Sequence, residues 1–191
     1  KQASGDRLNF EERYWKHRLI NFGVSLWEGD KATYYLRVAT KGSIKVVVNI
    51  YSEREFGHKG MSELWILGMF YGIILIMMAF SGLSFIPMKD SICLYNFAFH
   101  GLFMLALMSF DGLTFQLLLP NAPDLNNVGL LFFILTALGF CVEFGRRFVK
   151  AETYSPKFNK VGGIVSKVLW VGGIAALFLP YRPMAIFSAL A

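Results

Sequence analysis

Hydrophobic and polar positions divide the chain near Met61. Before that point apolar residues come in short runs broken by charge. After it they come in long runs. From Leu64 to Ile86, 23 consecutive residues carry no charged side chain. A hydrocarbon core about 30 Å thick needs roughly 20 apolar residues in a helix to cross it, so this run predicts a membrane span over 64–86. Pro87 is expected to stop it, with Met88-Lys89-Asp90-Ser91 as a tight loop. A second span follows over 92–110, interrupted by Asn96 and His100. A longer loop over 111–127 holds Pro120, Asn121 and Pro123. Further spans are expected over 128–144 and 161–179, and a turn at Pro180-Tyr181-Arg182-Pro183 precedes the start of a fifth at 184. Residues 59–191 therefore read as a transmembrane region, a polytopic α-helical bundle.

Residues 1–58 read differently. Tyr34-Tyr35-Leu36-Arg37-Val38 and Ile44 to Tyr51 are rich in β-branched and aromatic residues, with Thr40-Lys41-Gly42-Ser43 between them. This pattern predicts two strands and a short turn. Ile20 to Trp27 is a third expected strand, closed by a turn at Glu28-Gly29-Asp30-Lys31. Three or four strands make an open sheet with one uncovered face, which is marginal alone. The segment is thus expected to be part of an all-β sandwich whose other strands precede Lys1. Trp15, Trp27, Tyr34, Tyr35 and Phe56 are expected in its core, stacking on a sugar ring being the competing role. Residues 52–63 read as a polar connector, with Ser62 capping the first membrane helix.

Charge follows the same division. Residues 1–61 hold 18 of the 32 charged side chains. The net charge of +6 does not mark a nucleic-acid partner, because the basic residues of the first third are interspersed with acids and the rest gather in one loop. In that loop, over 145–160, Arg146, Arg147, Lys150, Lys157 and Lys160 oppose Glu152. Short basic loops stay on the cytoplasmic side. Counting spans back from there puts 88–91 inside, and places 111–127 and the β region outside. The expected location is a bacterial cytoplasmic membrane, with the β region in the periplasm.

Few residues in the spans invite chemistry. His100 lies mid-membrane, where an ionisable group is a functional candidate by default. No second histidine or carboxylate stands at helical spacing from it, so a neutral, hydrogen-bonded ring is the expected state. Glu143 is expected to pair with Arg146 or Arg147, and Lys167 to reach the interface along its stem. Gly68 and Gly72 form a GxxxG that permits close helix approach. Cys93 and Cys141 sit in apolar runs and read as small buried hydrophobes. Zinc-type clusters, phosphate-binding glycine loops and HExxH are absent from the sequence. No cofactor, metal or catalytic role is expected of these residues.

Composition stops there, but particular residues go further. Gly68-Met69-Phe70-Tyr71-Gly72 opening the first span, Lys89-Asp90 and Leu94-Tyr95 at the second, and Gly112-Leu113-Thr114-Phe115-Gln116 followed by Pro120-Asn121-Ala122-Pro123 resemble the bacterial seven-transmembrane receptors with diverse intracellular signalling modules. Arg146-Arg147-Phe148 with Pro156, and the Pro180-Tyr181-Arg182 turn, fit the same pattern. Gly5-Asp6-Arg7-Leu8, Lys16-His17-Arg18 and Tyr34 to Val38 resemble the C-terminal half of that family's extracellular jelly-roll domain. The resemblance implies a sensory receptor. Its outer domain would bind a small, carbohydrate-like ligand, and an output module outside residues 1–191 would carry the signal on. Gly68, Tyr71, Gly72, Asp90, Tyr95, Gln116, Pro120 and Asn121 would be its membrane-region positions. Ser81-Gly82 departs from the asparagine-containing polar patch common in the family.

Two other readings compete. One is a non-catalytic structural or accessory subunit of an envelope complex such as a motor or secretion machine, docked through β domain and helices. The other is a channel or transporter, which would need a polar cavity around Asn96 and His100. Membrane lipid is an expected partner in every case, and a homodimer or larger membrane assembly fits the first two.

Overall fold

The computed structural model describes residues 4–5, 16–27, 29, 31–38, 48–118, 120–121 and 123–178. Six helices follow one another among them: α1 (Glu53–Met88), α2 (Ser91–Phe110), α3 (Leu113–Leu117), α4 (Pro123–Phe148), α5 (Ala151–Tyr154) and α6 (Pro156–Ala176). Packing runs from α1 to α2, from α2 to α4 and from α4 to α6, so the four long helices stand as a row in chain order. The short links between them, Lys89-Asp90 above all, leave successive helices no room to do other than double back.

The start of α1 corrects the sequence reading. The helix begins at Glu53, nine residues before Ser62, and Ser52 caps it. The Ser52 hydroxyl accepts from the Glu55 N–H at 3.3 Å, and the Glu55 carboxylate accepts from the Ser52 N–H at 3.1 Å. This reciprocal capping box satisfies two backbone donors that a helix start leaves open. Residues 53–63 are therefore a helical extension of the first span, not a separate connector. At 36 residues α1 is roughly 54 Å long, well beyond the hydrocarbon thickness of about 30 Å, so its polar first turns project from the membrane.

Its far end differs too. Pro87 lies inside the helix. The fixed φ of proline is itself helical, so in the last turn it forfeits one ladder bond without breaking the chain direction. Termination comes at Lys89, whose φ of 50° is left-handed and whose N–H bonds the Phe85 carbonyl at 2.8 Å. Asp90 then caps α2, its carboxylate accepting from the Ile92 N–H at 2.9 Å.

The later boundaries also shift. Gly112, with φ of 78°, turns the chain after α2 into α3, so the expected 111–127 loop contains a helical turn. Pro123 starts α4 and Pro156 starts α6, each at a position where a missing N–H costs nothing. The expected basic loop over 145–160 is largely helical as a result. Its bend is made at Lys150, whose φ is 49°.

Among the described residues three helices, α1, α2 and residues 128–148 of α4, are long and apolar enough to cross a membrane. α6 is not among them, since Lys160, Lys167 and the pairs Gly162-Gly163 and Gly172-Gly173 dilute its apolar content. Large apolar side chains such as Trp65, Ile66, Ile76, Phe80, Leu83, Val168 and Val171 face outward, and most of the buried residues of the long helices are small, among them Ala106, Ala137, Ser166 and Ala176, with Ile74, His100 and Glu143 as the larger ones. That inversion is what packing in lipid favours, where the surroundings are as apolar as leucine and close backbone approach supplies the attraction.

No strand forms among the described residues of the first third. Ile20 to Trp27 and Tyr34 to Val38 are not strands among the described residues, and Ile44 to Val47, the expected partner of the latter, lies outside the described residues. Trp27 and Tyr35 are 80% and 94% exposed, so they do not fill a core here. A sheet face is covered only by a second layer, and no second layer stands among the described residues. Trp15, the turn over 40–43 and the chain from residue 179 onward, the expected fifth helix included, lie outside the described residues as well.

Candidate functional site

The polar side chains of the helical row gather at three levels. At the projecting end of α1, the covered positions are Phe56, Gly60, Glu63, Leu67 and Tyr71, spaced three or four apart along one face. Segment 16–18 lies against this stripe. The His17 ring packs on Phe56 with centroids 4.9 Å apart, and a Cβ on Gly60 would sit 3.5 Å from His17 Nε2. Arg18 forms an ion pair with Glu63 and donates to the Asp111 carbonyl at 3.4 Å. Two turns below Glu63, the Tyr71 hydroxyl donates to the Asp111 carboxylate at 2.6 Å. Arg18, Glu63, Tyr71 and Asp111 thus form one chain of contacts joining the first third to the ends of α1 and α2.

Gly112 fixes this junction. Its left-handed φ suits glycine, and a Cβ there would stand 3.1 Å from the Arg18 carbonyl oxygen. Behind it Leu113, Thr114 and Phe115 are buried, and the Ser109 and Thr114 hydroxyls bond at 3.0 Å. Gln116 closes the turn of α3 through its N–H to the Gly112 carbonyl at 3.2 Å. Pro120 and Asn121 stand in the turn that follows.

Mid-row, Asn96 donates to the Ser81 hydroxyl at 2.7 Å, and Ser81 in turn bonds the Met77 carbonyl at 2.9 Å. The Asn96 carbonyl lies 2.8 Å from His100 Nδ1. A carbonyl only accepts, so Nδ1 carries the proton of this bond. Ser81 supplies the partner on α1 at the place where the family resemblance anticipates an asparagine.

At the opposite end Glu143 is buried, its side chain 5% exposed. It does not choose between the two arginines: its Oε2 takes Arg146 at 2.6 Å and Arg147 at 3.3 Å, and its Oε1 accepts from Ser166 on α6 at 2.7 Å. Arg146 also reaches Asn159 at 3.0 Å and leans on Gly162 and Gly163. Arg147 donates to the Tyr95 hydroxyl at 3.2 Å and the Ser91 hydroxyl at 3.4 Å, its guanidinium 4.5 Å from the Tyr95 ring centre. This one network ties α2, α4 and α6 together.

The anticipated positions therefore separate into groups. Tyr71 and Gln116 belong to the outer junction. Asp90, Tyr95, Arg146, Arg147 and Lys150 belong to the opposite end. Lys157 and Lys160 are exposed on the first turns of α6. A Cβ on Gly68 or Gly72 would meet nothing within 4 Å, so the GxxxG face is open. Glu63 and Asp111 carry no sequence signal that singles them out, and Arg18 is marked only as part of Lys16-His17-Arg18. The contact between Arg18 and Asp111 spans 93 positions, beyond any local pattern.

A row of long apolar helices, carrying a polar junction to a preceding segment, defines a multi-pass helical membrane protein whose first third engages its first helix. Residues 63–191 match the family model described as 7TM diverse intracellular signalling, and residues 1–52 match the one described as 7TMR-DISM extracellular 2. The chain belongs to the seven-transmembrane receptors with diverse intracellular signalling modules: it is a membrane signalling receptor with an extracellular sensing domain. The two matches meet across residues 53–62, the projecting turns of α1. No curated protein and no solved structure matches the chain.

Proposed function

We propose that this receptor senses a small carbohydrate-like ligand on the periplasmic side of a bacterial cytoplasmic membrane and relays binding to an output module outside residues 1–191. In this reading the chain itself catalyses nothing. The observation that carries it is the junction of Arg18 with Glu63 and Asp111. It connects the segment assigned to the extracellular domain to the outer ends of two helices. A ligand shifts a conformational equilibrium only by its differential affinity for the two states. A ligand that alters the seating of residues 16–18 on α1 therefore changes the energy of the Glu63 and Asp111 contacts. By linkage, those contacts alter ligand affinity in return. The exposed Trp27, Tyr34 and Tyr35 offer the aromatic faces a sugar ring stacks on.

The test is hydrogen exchange on the full chain in nanodiscs, screened against neutral and acidic mono- and disaccharides. A bound saccharide is expected to change exchange over 53–63 and at Gly112 and Leu113. Glu63→Gln, which removes the carboxylate that Arg18 pairs with, is expected to reduce the change at Gly112 while saccharide affinity stays within about threefold. Absence of saccharide binding removes the ligand class. Binding that leaves both helix ends unaltered removes the relay.

A further inference from the structure

Beyond the Glu143 network, the basic end of the row opens into a cleft of about 440 Å³ lined by Asp90, the first α2 residues Ser91 and Ile92, Arg146 and Arg147 of α4, and Lys150, Glu152 and Asn159 beyond it. We propose that this cleft binds the phosphate of an anionic phospholipid headgroup, with Arg147, Lys150 and the Ser91 hydroxyl as its donors.

Three observations converge on that ligand. Arg147 is 40% exposed and already holds the Ser91 and Tyr95 hydroxyls, so its guanidinium is oriented on the cleft wall with donor capacity left over. Arg146 brings a second guanidinium to the same wall, held in place by Glu143 at 2.6 Å and Asn159 at 3.0 Å. Two acids also line the cleft: Asp90, whose Oδ1 accepts from the Ile92 N–H, and Glu152, which Lys150, Lys157 and Lys160 outnumber along residues 150–160. Finally, Phe148, Val149, Tyr154 and Phe158 are all exposed beside the cleft, interleaved with Lys150, Lys157 and Lys160. Aromatic and aliphatic side chains alternating with lysine, next to the end of a membrane-length helix, belong at the headgroup level. There the nearest abundant phosphate is that of a lipid. This favours a lipid over free phosphate, and anionic lipids over zwitterionic ones because a lysine or arginine near the surface adds attraction for each negative charge.

The experiment is native mass spectrometry of the full chain released from mixed micelles of phosphatidylglycerol and phosphatidylcholine at equal amounts. Wild-type protein is expected to retain phosphatidylglycerol preferentially. Lys150→Gln, which removes a side chain outside the Glu143 network, is expected to lower that preference about fivefold. Arg147→Gln is expected to lower it further. Millimolar inorganic phosphate is expected to leave the retained lipid unchanged. Equal retention of the two lipids by wild type overturns the proposal, as does a Lys150→Gln protein that keeps the full preference. Displacement of the lipid by inorganic phosphate overturns the lipid assignment in favour of a soluble anion. Lys150→Gln keeps the test open even if Arg147→Gln unfolds.

Discussion

Glu143 meets two arginines, and the geometry ranks them. Arg146 lies at 2.6 Å with its side chain 19% exposed, whereas Arg147 lies at 3.3 Å with 40% exposed. Removing one partner of a buried ion pair costs about 3–5 kcal/mol in water-soluble proteins, because the other charge stays buried and unpaired. Two features lower that here. Arg147 keeps the Ser91 and Tyr95 hydroxyls when Glu143 is lost. Glu143 and both arginines also share α4, so the pairs lie along one helix and persist in part when the helices separate. Ser166 contributes less than its 2.7 Å bond suggests, since its single hydroxyl hydrogen can turn to the Gly163 carbonyl at 3.2 Å. Glu143→Gln is therefore expected to destabilise the bundle by about 2 kcal/mol. In a double-mutant cycle with Arg146→Gln, the coupling is expected at about 1 kcal/mol, above the few tenths of an exposed pair along one helix because Glu143 is buried. The cycle with Arg147→Gln is expected below about 1 kcal/mol, as for a half-exposed pair. The assay is equilibrium unfolding by SDS in mixed micelles, followed by the fluorescence of Trp170, which packs on Phe140 of α4 at 5.2 Å between ring centres. A larger coupling to Arg147 than to Arg146, or both near zero, refutes the ranking.

Three further outcomes are expected. Gly112→Ala places a Cβ at a left-handed φ and 3.1 Å from the Arg18 carbonyl oxygen, so a loss of about 1–2 kcal/mol is expected in the same unfolding assay, and an unchanged midpoint would contradict the junction. Gly139→Ala drives a methyl group into the Trp170 indole at the α4–α6 contact; about 1–3 kcal/mol of overpacking is expected, with a shifted Trp170 emission maximum as the local readout. The capping box should respond to acid. The Glu55 carboxyl is held below its ordinary value of 4.5 by the Ser52 N–H and then by the Ser52 hydroxyl. A depressed carboxyl stabilises above the unfolded-state pKa and loses that contribution as pH falls through the folded one. Amide protection factors over 53–57 are thus expected to decline as pH falls below 4.5, and a Glu55→Gln protein showing the identical pH response would assign the effect elsewhere.

What the sequence made legible was whatever has a local cause. A run of 23 uncharged residues fixes a membrane helix because the bilayer sets its length. Asp90 before an apolar run is a recognisable cap. The start of α1 was equally written in the sequence, since Ser52-Glu53-Arg54-Glu55 carries the serine and glutamate of a capping box at the required spacing, and Ser62-Glu63-Leu64-Trp65 does not. The expected start missed it by tying the helix boundary to the start of the apolar run, two boundaries that coincide only when a helix ends at the membrane surface. Lys89 and Lys150 were opaque for a different reason. Lysine has no preference for left-handed backbone, and the reversals occur where the packing of neighbouring helices demands them. The β-rich pattern of the first third is a statement about partners, because a strand exists only in a ladder, and those partners are not among the described residues.

The displacement of that boundary alters how a signal can travel. With a polar connector between the sensing region and the membrane, movement of the one need not reach the other, since a flexible segment absorbs it. With one helix capped at Ser52 and closed at Lys89, every residue between them shares an unbroken ladder apart from the bond that Pro87 omits in the final turn. The stripe that seats His17 and Arg18 and the turn that lines the basic cleft are then two ends of a single rod. Tyr71 and the Ser81–Asn96 contact register that rod against α2 along its length. A shift that breaks one of these contacts without the others requires α1 to bend, and nothing in its interior before Pro87 removes a backbone donor. Rotation or translation of the whole helix is the motion this architecture leaves open, and it must exchange the Tyr71–Asp111 and Asn96–Ser81 bonds together.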